Sequence, residues 1–139
     1  MAPPRKSHRP SDKEKINKVT DAIAALEDEN SSPIIIADRH NAEAMEFTGA
    51  ADMDGVLAWV LLLLKEIEAI GAEKCFVGKE AQRCTHKGSK DVFLFPYHWT
   101  SGSLGARAYL KFAIRRTKTD SGESVTYCHL DLHEDRPKT

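Results

Sequence analysis

Histidines, tyrosines and cations recur at alternate positions toward the C-terminal end of this sequence. Arg107, Tyr109, Lys111 and Arg115 share one parity in one segment, with Ala113 among them. Tyr127, His129, Asp131 and His133 share one parity in the next. In extended chain, alternate side chains point to the same side. Two such segments paired in a sheet place all of these groups on one face. The combination suits a phosphodiester: Lys or Arg holds phosphate, an aromatic stacks a base, and His or Tyr moves a proton. An ordinary solvated sheet face gives the same pattern. His86 and His98 fall in expected loops or at strand ends, where an imidazole can serve as acid or base near neutral pH. Lys79 closes an expected strand and is a candidate phosphate clamp.

Other chemistries lack their patterns. Cys84-Thr-His86 does not have the two-residue spacing of a zinc knuckle, and His133-Glu-Asp135 is not a zinc-protease motif. No metal site and no cofactor is expected. Walker, dinucleotide and nucleophile-elbow glycine motifs are missing. The Gly102–Gly105 loop leads into a strand rather than a helix, a weak setting for phosphate.

The elements that must position these residues follow from periodicity. A tail over 1–10, basic and proline-rich, precedes Ser11. Ser11 with Glu14 has the capping-box spacing, and Ile16, Val19, Ile23 and Leu26 then recur at helical spacing, so a helix is expected over Asp12–Glu29. Ile34–Ile36 fits a short strand or a buried helix start. A second helix is expected from about Asp38 to Phe47, and a third from Asp52 to Ile70 with Gly71 past its end. Lys74–Val77 and Val92–Phe95 read as strands. Ala106–Arg116 alternates with Ala108, Leu110, Phe112 and Ile114 on the apolar face, and Val125–Leu132 returns with Cys128, Leu130 and Leu132 facing the same core. Asp120-Ser-Gly122 marks the turn of this antiparallel hairpin. The expected fold is α+β, one domain over 11–139, with N-terminal helices packed on one face of a C-terminal antiparallel β-sheet.

The composition fits that expectation: 139 residues, 41% hydrophobic and 29% charged, is an ordinary globular balance that supports one core. The longest apolar run, Val56–Leu64, is too short for a bilayer, which needs about 20 residues. Three cysteines, an odd number in no disulfide spacing, and an N-terminus without an apolar signal core indicate a reducing, cytoplasmic setting. The formal net charge of −1 conceals segregation: −9 over residues 20–74 against +7 over 75–119. Such asymmetry fits either a basic working face or acidic helices that pair with a basic sheet.

In motif order the chain resembles the MqsR-like mRNA interferase toxins, whose small domain has a RelE-like fold. Gly105-Ala-Arg-Ala-Tyr109-Leu110-Lys111-Phe112 is similar to the family's G-x-x-Y-[LI]-K-[FI] strand, with one residue more between glycine and tyrosine, and Leu132-His133-Glu134-Asp135 to the end of its closing strand. The helix after Gly49-Ala-Ala-Asp52 and the segment Cys75-Phe76-Val77-Gly78-Lys79 follow the family's order over roughly residues 40–135. The family's Trp-Gln-Asp-Val-Tyr segment has no counterpart; Asp91-Val92 and Tyr97-His98-Trp99 occupy that region. The resemblance implies metal-independent cleavage of single-stranded RNA and neutralisation by a protein antitoxin. By position, Lys79 and Tyr109 fall on the family's active-site lysine and tyrosine, and His133 near its C-terminal basic residue. The expected catalytic set is therefore Lys79, His98, Tyr109 and His133. Arg107, Lys111, Arg115 and His129 are expected to bind substrate. Two alternatives use the same residues differently: a non-catalytic RNA- or protein-binding module on that sheet face, and an inhibitor or antitoxin-like protein whose acidic helices cover a basic partner.

Overall fold

The structure, a computed structural model, describes residues 7–36, 41–78, 81–83 and 93–135. Helix α1 spans Asp12–Glu27, with Ser11 Oγ accepting the Glu14 amide 3.2 Å away as its cap. Helices α2, Asn41–Thr48, and α3, Met53–Ile70, follow. Asp52 caps α3 by accepting the Gly55 amide at 2.9 Å. Gly71 ends it at φ 117, donating its N–H to the Ile67 carbonyl. That positive φ strains any side chain, which is why glycine stands there.

Among the described residues six strands form one sheet in the order β1-β3-β4-β5-β6-β2. They are β1 (Ser7–His8), β2 (Ser31–Ile36), β3 (Ala81–Arg83), β4 (Phe93–Ser101), β5 (Ala106–Lys118) and β6 (Ser124–Glu134). The β4–β5–β6 meander is antiparallel, as expected. The sheet as a whole is mixed, because β2 lies parallel to β6, with Ser31 opposite Ser124 and Ile36 opposite His129. The three isoleucines thus belong to an edge strand, whose partner β6 the chain reaches only after the helices and the other strands. Lys74–Val77 is not a strand: Ala72–Cys75 forms a helical turn, α4, and Phe76 makes one bridge to Tyr97. The first ten residues, expected as a loose tail, include β1, whose backbone pairs with Gln82 and Ala81.

Helices α1 and α3 pack on each other and on one face of the sheet. Val19 and Ala22 of α1 meet Val60, Leu63, Leu64 and Ile67 of α3 over Tyr97, Leu110, Phe112 and Leu132, all buried. Burying each large apolar side chain is worth about 1.5–3 kcal/mol. Tyr97 stacks on Phe112 with ring centroids 5.5 Å apart, and its hydroxyl donates to the Lys15 carbonyl at 2.6 Å. Cys75 and Cys128 are buried, and burial pushes the Cys128 thiol up to about 12, so neither is a thiolate nucleophile. Among the described residues no single helix is long and apolar enough to cross a membrane; α2 and α3 reach the length only together, across a 66° bend.

Glu66, late in α3, fastens the turn that carries the chain from β4 to β5. It accepts from Trp99 Nε1 at 3.0 Å, Ser101 Oγ at 2.7 Å, the Ser103 amide at 3.0 Å and Ser103 Oγ at 2.8 Å. Burial alone would raise this carboxyl. The donors from Trp99, Ser101 and Ser103 outweigh burial and hold it below its usual value of 4.5. A lowered carboxyl stabilises the fold above its unfolded pKa, and that stability is lost as pH falls through the folded value. Glu66→Gln is expected to cost about 2 kcal/mol at pH 7. Its urea midpoint should then fall less than that of the parent protein between pH 7 and pH 3.5.

Candidate functional site

The face of the meander away from α1 and α3 holds the polar groups. Register fixes their arrangement. His98 of β4 lies opposite Tyr109 of β5, and Tyr109 lies opposite His133 of β6, so the three form one row across three strands. One step toward the β4–β5 turn, Thr100 is opposite Arg107, and Asp135 donates its amide to the Arg107 carbonyl at 3.0 Å. One step the other way, Lys111 is opposite Asp131. Neighbouring strands are about 4.8 Å apart and alternate residues about 6.6 Å apart along a strand. The array therefore covers roughly 10 Å across the strands and 13 Å along them.

Side-chain contacts tighten the array. Asp135 Oδ2 is 3.2 Å from His98 Nδ1 and 3.3 Å from Arg107 Nη2. An ionised carboxylate only accepts, so in this contact His98 carries its proton on Nδ1 and presents Nε2 as an acceptor. Arg107 Nη1 also donates to Thr100 Oγ1 at 3.3 Å, and Nη2 approaches His98 Nδ1 to 3.3 Å. Tyr109 and His133 stack with centroids 4.8 Å apart and planes 16° apart. His133 Nδ1 lies 2.7 Å from the Glu134 carbonyl, which fixes the proton there by the same logic. Burial, with the negative charges of Asp131 and Asp135 behind it, raises the Tyr109 hydroxyl, so this phenol stays a hydrogen-bond donor at neutral pH.

No protein-family model, curated protein or solved structure matches this chain. Its chemistry is therefore read from the array itself.

Three of the four residues expected to be catalytic, His98, Tyr109 and His133, share the central row. His98 lies within a strand rather than in a loop or at a strand end, because β4 continues through Pro96 to Ser101. Lys79 lies outside the described residues. Of the four expected to bind substrate, Arg107 and Lys111 flank the row. Arg115 does not join it: six residues along β5, about 20 Å from Tyr109, its guanidinium sits 5.0 Å over the Tyr127 ring. His129 is 2% exposed, which overturns its expected place on an open surface. Beside it β2 pairs with β6, and α2 packs against β6, so alternation assigned its face but not its depth.

Sequence reasoning also gave no role to two acids, Asp135 and Glu43. Asp135 continues the alternation of Asp131 and His133, a signal present in the sequence. Glu43 reaches this region from α2, and no local pattern announces that. These acids make the face mixed in charge rather than simply basic. Elsewhere Asp28, at the end of α1, pairs with Arg116 of β5 at 2.8 Å, and that guanidinium lowers its carboxyl. At this point an acidic helix end does neutralise the basic sheet.

Proposed function

We propose that this protein is a metal-independent endoribonuclease acting on single-stranded RNA, of the mRNA interferase kind that a protein antitoxin neutralises. The observation that supports it is the His98–Tyr109–His133 row with Arg107 and Lys111 on either side. Two imidazoles separated by two strand spacings, about 10 Å, can address the attacking and the leaving oxygen of one phosphodiester. His98 Nε2, its ring oriented through Asp135, takes the proton of the 2′-hydroxyl. That oxygen attacks phosphorus and the bond to the 5′-oxygen breaks, leaving a 2′,3′-cyclic phosphate. His133, protonated on both ring nitrogens for this step, delivers its Nε2 proton to the departing 5′-oxygen. Arg107, Lys111 and the Tyr109 hydroxyl meet the charge that builds on the phosphoryl oxygens. The test is incubation of the purified protein with single-stranded RNA at low salt in EDTA. Products ending in cyclic phosphate are expected, and intact RNA would reject the proposal.

The non-catalytic alternative has one observation in its favour. Asp135 holds both His98 and Arg107, a contact that an RNA-binding face could use solely to order its cations. Binding and cleavage separate the two. Lys111→Ala is expected to weaken RNA affinity in either case, and to reduce the slope of log affinity against log salt by about 0.7 for the lost phosphate contact. Only the nuclease yields shortened RNA.

A further inference from the structure

Asp131 has a feature that RNA cleavage leaves unused. Its Oδ1 is buried and has no hydrogen-bond partner among the described residues. A buried carboxylate oxygen without a donor is costly, and charge is the usual compensation. The group it faces is His133 Nε2, 4.0 Å away, too far for a hydrogen bond. In the neutral ring that nitrogen is an acceptor, since the Glu134 carbonyl 2.7 Å from Nδ1 keeps the single ring proton on the other side. Glu43 of α2 completes the group. One oxygen from each carboxylate and one ring nitrogen of His133 all lie within 4.8 Å of one another. Three possible ligand atoms from two separate elements, α2 and β6, thus lie together.

The donor set indicates what belongs there. Imidazole with carboxylate selects first-row divalent ions over calcium or magnesium, which prefer oxygen alone. Zinc-to-nitrogen and zinc-to-oxygen bonds of about 2.1 Å place tetrahedral ligand atoms about 3.4 Å apart. The observed separations close to that by side-chain rotation, for which Glu43 has three torsions. The Nδ1–H to carbonyl contact of His133 is the outer support that metal-bound histidines usually have. Three protein ligands leave a fourth position open on the sheet face beside Tyr109.

We propose that Glu43, Asp131 and His133 form a binding site for a divalent transition ion of the zinc class. No spacing motif announces it, because Glu43 is far from the β6 pair in sequence. The ion takes the Nε2 lone pair of His133. On the nuclease reading above, it therefore competes with proton transfer and switches cleavage off; the binding itself does not depend on that reading.

The test uses the full, metal-stripped chain, titrated calorimetrically with Zn²⁺ and in parallel with Co²⁺, whose visible spectrum reports a nitrogen–oxygen tetrahedral site. One ion per chain is expected. Binding should weaken by more than about tenfold in Glu43→Gln and in His133→Gln, and stay unchanged in Cys84→Ser. Circular dichroism verifies that each variant is folded; Glu43→Gln, on a helix outside the sheet, keeps the test decisive if His133→Gln unfolds. Absence of binding by the parent chain, retention of full affinity in Glu43→Gln, or loss of binding in Cys84→Ser would each overturn the site. Cleavage with and without Zn²⁺ is measured separately. An ion that binds as expected to a protein that cuts no RNA in EDTA rejects the nuclease and keeps the metal site. Cleavage without metal binding does the reverse.

Discussion

On the nuclease proposal, replacing His98 by alanine is expected to slow RNA cleavage by at least about 100-fold, the usual worth of a positioned acid or base. The fold should tolerate the change, because the His98 side chain is 39% exposed and its contacts are to Asp135 and Arg107 on the surface. His133→Ala should lose a comparable factor, since it removes the second proton carrier and the ring that stacks on Tyr109. The two losses should not multiply in the double variant, because residues that act as a unit are not additive. Tyr109→Phe keeps the stack and removes one donor, so a smaller loss, about tenfold, is expected. Equal cleavage by His98→Ala and the parent chain would remove the row from the mechanism.

The row was legible in part because it depends on strand parity, and parity is a local property. Arg107, Tyr109 and Lys111 alternate with Ala108, Leu110 and Phe112, and β5 keeps that division over Arg107–Phe112, as β6 does over Leu130–His133. Caps are equally local, so Ser11, Asp52 and Gly71 mark helix ends in the sequence as they do in space. The failures involve long-range structure. Three isoleucines carry no sign that they will pair parallel to a strand some ninety residues later, opposite Tyr127, Cys128 and His129. Pro96 hides the length of β4, since proline usually ends a strand. Here its carbonyl accepts the Val77 amide at 3.0 Å, so its missing N–H also falls on that side, where the neighbour is a single bridge and not the β5 ladder. His98 therefore lies in register with Tyr109 against the local signal.

Phe112→Ala is expected to destabilise the protein by about 3–5 kcal/mol, the range for deleting a buried aromatic side chain. Phe112 is 1% exposed, stacks on Tyr97 and lies opposite Phe95 on one side and Leu130 on the other. Its neighbours belong to three strands and cannot all collapse into the space it leaves. For a chain of this size the loss corresponds to a fall in Tm of roughly 10–20 °C, measured by calorimetry alongside urea unfolding. Leu62→Ala supplies the contrast. Leu62 is 44% exposed beside the fully buried Leu63, so its truncation should cost no more than about 0.5 kcal/mol. The difference between the two variants measures which face of β5 the helices cover. Strand alternation then leaves Tyr109 and Lys111 on the opposite face. A Phe112→Ala cost near that of Leu62→Ala would invert the faces of β5 and remove the basis on which His98, Tyr109 and His133 share one surface.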